Sequence, residues 1–312
     1  MALIRKELQF PSSNNNCTIF ARVFAPADKN DVKAVLQLAH GMAEHSLRYT
    51  SFAEYMANAG FAVCVNDHLG HGKSVSKGQN YGYFGERKGW QHLVEDMNRL
   101  RGLMQKEYPN VPYCLMGHSM GSFLSRAYTE QHGEGLRAVA FLGTSAGLSP
   151  LEMAVGERFA GHVVKKKGSK AIDKTLQKLT TGGYNKKFEP ARTENDWLSR
   201  DADEVDLYCA DPLCGFPFTA SGYRDLIRLL RFVNRKEWFA ALPDIPILLL
   251  SGEDDPVGGF GKGVKKVSEK LRQKGYRVTL KLYPGGRHEM LNEINKNEVY
   301  REIRSFFDKA IS

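Results

Sequence analysis

Residues 113–128 read Tyr113-Cys114-Leu115-Met116-Gly117-His118-Ser119-Met120-Gly121-Ser122-Phe123-Leu124-Ser125-Arg126-Ala127-Tyr128. A short apolar run is followed by Gly-x-Ser-x-Gly and then by a stretch suited to a helix. The run reads as a strand buried on both faces. Glycines at 117 and 121 permit a sharp strand-to-helix turn that a Cβ would obstruct. Such a turn lifts the Ser119 hydroxyl clear of the sheet, at the positive end of the next helix. Gly143-Thr144-Ser145-Ala146-Gly147 matches the same pattern and serves as a control. It too follows an apolar run, but Gly147-Leu148-Ser149-Pro150 comes next, which reads as opposed to a helix. Ser119 is therefore the expected nucleophile. Ser145 is read as a small strand-end residue lining the pocket.

Outward from this stretch, short apolar runs alternate with longer helical patterns. The runs are Ala34–Ala39, Phe61–Val65, Tyr113–Met116, Ala138–Leu142, Ile247–Leu250 and Val278–Tyr283. Helices are expected near Tyr49–Ala59, Gln91–Tyr108, Ser122–His132, Val264–Lys274 and Glu298–Ala310. Strands without alternation, bridged by helices, predict an α/β fold with a mostly parallel sheet and helices on both faces. Before them, Glu7–Phe10 and Thr18–Phe24 flank a turn-rich segment and read as an antiparallel hairpin. The alternation lapses over 148–235, a segment rich in charge and turn residues with weak helical patterns. It reads as an inserted cap, so that 1–147 and 236–312 form the two parts of one core.

A serine hydroxyl needs a base to act as a nucleophile at neutral pH. In a fold of this topology the acid and then the histidine follow the serine, each beyond a later strand. Of nine histidines only His288 lies after His162, and it follows the Val278–Tyr283 run through a Pro-Gly-Gly loop. Ser251-Gly252-Glu253-Asp254-Asp255-Pro256 supplies three candidate acids. Asp255 has the Gly-x-x-Asp spacing and a following proline that keeps it extended; Asp254 and Glu253 are the alternatives. An oxyanion also needs donors. His40-Gly41-Met42 follows a strand, which points to the amides of Met42 and Met120, with Gly41 at the substrate.

The segments His40–His45 and Asp67–Ser74, the Gly117–Gly121 turn, the Gly252–Asp255 turn and His288 fall in one order. Together they resemble the monoacylglycerol lipase and lysophospholipase-like branch of the α/β-hydrolases, over most of residues 34–145 and 244–310. The resemblance implies an α/β-hydrolase fold, a Ser119-Asp255-His288 triad, Met42 and Met120 as oxyanion amides, and an acyl-ester substrate such as a monoacylglycerol or a lysophospholipid. It implies no metal or organic cofactor. The His68-x-x-His71 spacing looks metal-like, but in that family it belongs to a structural loop. Positions 148–235 correspond to the family's cap, where Leu213, Phe216 and Phe218 either face an acyl pocket or pack cap onto core. No long uninterrupted apolar cap helix is read there.

Composition narrows the rivals. A chain of 312 residues with 42% hydrophobic content is neither disordered nor a disulfide scaffold. Its longest aliphatic run, Ile247–Leu250, falls far short of the roughly 20 residues of a membrane span. With no signal-peptide pattern at Met1–Phe10, a cytoplasmic protein is expected. Five cysteines (17, 64, 114, 209, 214) show no paired spacing, and Cys209 with Cys214 makes only half of a structural zinc set. Reduced thiols are expected. The net charge of +9 divides as 15 basic against 12 acidic in 1–147, 15 against 12 in 148–235 and 14 against 11 in 236–312. Nucleic acid is thus not the expected partner. The one concentration, nine Lys/Arg against Glu269 in 262–287, reads as the solvated face of a helix and a weak contact for an anionic lipid surface. Oligomeric state has no sequence signal. Two other activities share the apparatus: acyl transfer to a non-water acceptor, and cleavage of a peptide N-terminus. The latter needs a cap acid for the amine, from Glu194, Asp196, Asp201, Asp203, Glu204 and Asp206. A ligand-binding receptor with a slow triad is the rival outside enzymes.

Overall fold

Four of the strands carry no exposed residue, because each lies between helices on both sides. The computed structural model describes residues 2–312. Strands β3 (Ala34–Ala39), β4 (Phe61–Asn66), β5 (Tyr113–His118) and β7 (Ile247–Gly252) are buried throughout. With β1 (Leu3–Pro11), β2 (Thr18–Pro26), β6 (Leu136–Leu142) and β8 (Val278–Tyr283) they form one sheet in the order β1-β2-β4-β3-β5-β6-β7-β8. The β1–β2 hairpin and the β2–β4 pair are antiparallel, and all other pairs are parallel. Parallel strands cannot be joined by a tight turn, so helical crossovers follow.

Helices α1 (Thr50–Ala57) and α9 (Lys296–Ile311) cover one face, burying Phe52, Met56, Val299, Ile303 and Phe307. Helices α2 (Gly89–Glu107), α3 (Met120–His132) and α8 (Lys262–Arg272) cover the other. In α8 Val264, Val267 and Leu271 are buried and Lys262, Lys265, Lys266 and Arg272 are exposed. The chain leaves β3 toward β4 on one side and reaches β5 on the other. A crevice therefore opens beyond the carboxyl ends of β3 and β5, the usual ligand position in such sheets.

Between β6 and β7 lie α4 (Pro150–Lys167), α5 (Lys174–Thr181), α6 (Ala202–Ala210) and α7 (Ala220–Asn234). The Ser149-Pro150 pair, expected to oppose a helix, starts α4. Proline occupies the first turn, where its missing N–H costs nothing, and Ser149 forms a reciprocal capping box with Glu152. Helix α7 packs on both α2 and α3, so part of the inserted segment belongs to the core layer. Among the described residues, no helix is long and apolar enough to cross a membrane.

Candidate active site

Ser119 sits between β5 and α3 at φ 54°, ψ −122°, a strained conformation for a residue with a Cβ. Its N–H donates to the Leu142 carbonyl at 2.9 Å. A Cβ on Gly117 would overlap the Gly121 carbonyl, and one on Gly121 would overlap that of Ala39. The two glycines thus allow β5, α3 and the end of β3 to meet. Met120 is the first residue of α3, where a helix leaves its N–H without an internal acceptor.

His288 is almost fully buried beyond β8, and its Nδ1 lies 2.9 Å from Oδ1 of Asp255, which has no exposed surface. Of the three acids considered, Asp255 alone meets the imidazole. Asp254 pairs with Lys187, and Glu253 faces solvent. Burial opposes ionisation of Asp255. Its neighbours outweigh that and hold the carboxyl below its ordinary value: His288, the Val257 N–H at 2.8 Å and the Ser251 hydroxyl at 3.0 Å. The Trp197 ring lies against His288 at 5.1 Å, backed by Tyr184 at 4.9 Å. Gly143, the first glycine of the control motif, has φ 56°, and a Cβ there would press within 3.0 Å of the His288 ring. That second Gly-x-Ser-x-Gly therefore makes room for the imidazole.

Beneath these groups runs a buried polar network that the sequence motifs do not reveal. Glu44 Oε1 accepts from the Gly41 N–H at 2.5 Å and from the Tyr49 hydroxyl at 2.7 Å. Its Oε2 accepts from Arg48 at 2.9 Å, and Arg48 also holds both oxygens of Glu289. Burial disfavours the Glu44 anion, yet His118 and Arg48 hold it well below the usual carboxylate range. His118 connects the two halves of the site: Nδ1 is 3.1 Å from the Tyr49 oxygen and Nε2 is 3.2 Å from the His288 carbonyl. Burial would depress its pKa, but Glu44 raises it above the ordinary value. His40 Nε2 accepts from the His68 N–H at 2.9 Å, so its Nδ1 is the donor to the Gly41 carbonyl at 2.8 Å. Burial keeps His68 and His71 well below the usual histidine value. Neither joins a group of three metal-ligating side chains among the described residues.

Gly41, Met42, Ser119, Met120, Ser145, Phe216 and His288 all line one cavity of about 1990 Å³ between sheet and cap. Leu213 and Phe218 do not, which leaves the other of the two sequence readings, packing of cap onto core. Phe218 has no exposed surface and packs edge-on against Phe84 at 5.0 Å, fastening cap to core. The Leu213 N–H donates to Asp211 at 2.8 Å, in the turn that follows α6. The cavity wall is instead built from α4, α5 and α7, through residues such as Phe159, Leu176, Leu226 and Leu230. Of the six cap acids considered for an amine, Glu194 alone reaches it.

A mostly parallel sheet that presents a serine on a strained turn after β5, with a carboxylate-bound histidine beyond β8, is the architecture of an α/β-hydrolase. A family model described as "Serine aminopeptidase, S33" matches residues 30–295. Mouse monoglyceride lipase is 31% identical over 94% of this chain and 88% of its own length. A monoacylglycerol lipase of Mycolicibacterium smegmatis is 30% identical over 88% of each. Among solved structures, a highly thermostable carboxyl esterase from Bacillus coagulans in complex with glycerol is 34% identical. It superposes at a TM-score of 0.92 over 100% of both chains. The chain belongs to this S33 family, as a serine hydrolase of its monoglyceride lipase-like branch.

Proposed function

We propose that this serine hydrolase cleaves carboxylic esters of the monoacylglycerol kind through an acyl-enzyme on Ser119. The observation that carries the reading is a histidine held by a buried carboxylate, opening into the same apolar-walled cavity as a serine at a strained turn. With Nδ1 bound to Asp255, His288 takes the Ser119 proton on Nε2 as Oγ attacks the ester carbonyl. The N–H groups of Met42 and Met120 hold the oxyanion. The imidazolium, stabilised by Asp255, protonates the leaving alcohol and later activates water for deacylation. A cavity well above the usual range of about 300–1,000 Å³ suits an acyl chain, whose burial against leucine supplies binding energy. The relatives named for monoglyceride, and the similar esterase bound to glycerol, support a glycerol leaving group. Lysophospholipid-like esters fall within the same reading.

The family description and the position of Glu194 favour aminopeptidase activity as the second reading. Against it, four of the other five cap acids are engaged elsewhere, and the fifth, Asp203, is exposed and does not line the cavity. Asp196 accepts from Thr193, Asp206 pairs with Arg192, Glu204 pairs with Lys296, and Asp201 caps α6. Rates on monoacylglycerols of graded chain length and on an aminoacyl anilide separate the two. Turnover of the ester series is expected, with little on the anilide. Ser119→Ala should lose on the order of 10⁶ in turnover together with fluorophosphonate labelling. Ordinary activity in that variant refutes the mechanism, and a preference for the anilide makes the protein an aminopeptidase.

A further inference from the structure

We propose that His45, Asp211 and Cys214 form a binding site for a thiophilic divalent cation of the zinc type, bridging the core and the cap. His45 follows the loop that carries Gly41 and Met42, whereas Asp211 and Cys214 lie in the turn after α6. One ligand atom from each lies within 4.8 Å of the others. Tetrahedral zinc with bonds of about 2.0 Å to nitrogen or oxygen and about 2.3 Å to sulfur sets its ligands some 3.3–3.6 Å apart. Closing on the ion therefore takes a contraction of at most about 1 Å of the widest pair and a slight opening of the His45–Asp211 pair, now at 2.8 Å, both within reach of side-chain rotation.

The donor types select the ion. A thiolate with an imidazole favours zinc over magnesium or calcium, which prefer all-oxygen sets. Electrostatics also suit a cation. Arg48 is the positive group nearby, and it is engaged by Glu44 and Glu289, so with Asp211 the acids outnumber it. Asp211 Oδ1 accepts from the Leu213 N–H, which orients the carboxylate and leaves Oδ2, now 2.8 Å from His45 Nε2, to face the ion. Asp211 and Cys214 are partly exposed, which provides an entry path and room for a water as fourth ligand.

A cysteine thiol ordinarily holds its proton at neutral pH. Binding then exchanges the S–H bond for an S–metal bond and releases one proton to solvent. The bound ion clamps the cap to the loop beside the oxyanion donors. Two hydrogen bonds already join these segments, from the Gly215 N–H to the Ala43 carbonyl at 2.9 Å and from the Tyr208 hydroxyl to the same oxygen at 3.2 Å.

Titration calorimetry of the full chain with Zn²⁺, in buffers of differing ionisation enthalpy, tests the site. One ion per chain with release of one proton is expected. Cys214→Ser and Asp211→Asn should each weaken binding more than about 10-fold, with Cys209→Ser unchanged. Co²⁺ should give a thiolate-to-metal absorption band that Cys214→Ser lacks. Independently of any variant, Zn²⁺ should slow alkylation of Cys214 in the natural chain more than about 10-fold while sparing Cys209. Absence of stoichiometric binding, undiminished affinity in Cys214→Ser, or equal alkylation rates with and without Zn²⁺ would overturn the site.

Discussion

At Asp255 the decisive quantity is which of three adjacent acids the chain turns inward. Gly252 and Pro256 flank them, and the turn sends Glu253 to solvent, Asp254 to Lys187 and Asp255 to His288. Asp255→Asn keeps the volume but favours the wrong imidazole tautomer, and a fall in kcat of about 10⁴ is expected. Asp254→Asn removes a half-exposed ion pair and should leave kcat within about 3-fold. Steady-state kinetics of the two variants on one soluble ester decides between them, and the reverse ranking would reassign the acid. Ser119, His288 and the Gly-x-x-Asp turn are legible in sequence because each follows a strand in a fixed order. Glu44 and Trp197 are not. Their roles arise from contacts across the fold, as between the Trp197 ring and His288, and no local spacing encodes them.

Among the elements, the α2–α7 contact carries a buried charge. Asp225 of α7 is almost fully buried, and its carboxylate faces the start of α2 so closely that Gly89 has no space for a Cβ. Neither oxygen has a well-formed hydrogen bond, and Arg228 stands 3.9 Å away. Burial raises its pKa to about 6, against about 3.9 in the unfolded chain. A raised value favours the protonated form in the native state. The stability it contributes is therefore full below about pH 4 and lost as pH rises through about 6. Asp225→Asn should accordingly stabilise the protein at about pH 8, by on the order of 2–3 kcal/mol, with about half that effect near pH 5. Urea midpoints at the two pH values measure this, and an equal shift at both would mean that ionisation is not the cause. Helix α7 itself is legible in part. Tyr223, Leu226, Leu229 and Val233 recur at helical spacing, but arginines at 224, 228 and 231 interrupt the apolar reading. Helix α4 is harder to read, since Leu151 and Val155 face outward while Met153, Ala160 and Val163 are its buried residues.

Over the whole molecule, the fold gathers what the sequence spreads evenly. Each third of the chain carries the same excess of three positive charges, yet Lys262 and Lys266 of α8 line the same cavity as Lys174 and Lys178 of α5. Leu148, Leu151, Val155 and Leu179 line that cavity too and are among the most exposed apolar side chains of the protein. An apolar rim interleaved with lysines is suited to an anionic lipid surface: the leucines enter the acyl boundary and each lysine near the surface adds about 1 kcal/mol. The mouth so oriented would receive an ester straight from the lipid. Flotation with anionic vesicles should therefore show association that weakens as salt rises, because exposed charges are screened within about 10 Å at 0.1 M salt. Zwitterionic vesicles should bind less and without salt dependence. Reversing two charges, Lys262→Glu with Lys266→Glu, should cut association with anionic vesicles at least about 10-fold while the apolar rim stays intact. Salt-independent association of equal strength with both vesicle types would assign the contact to the leucines alone.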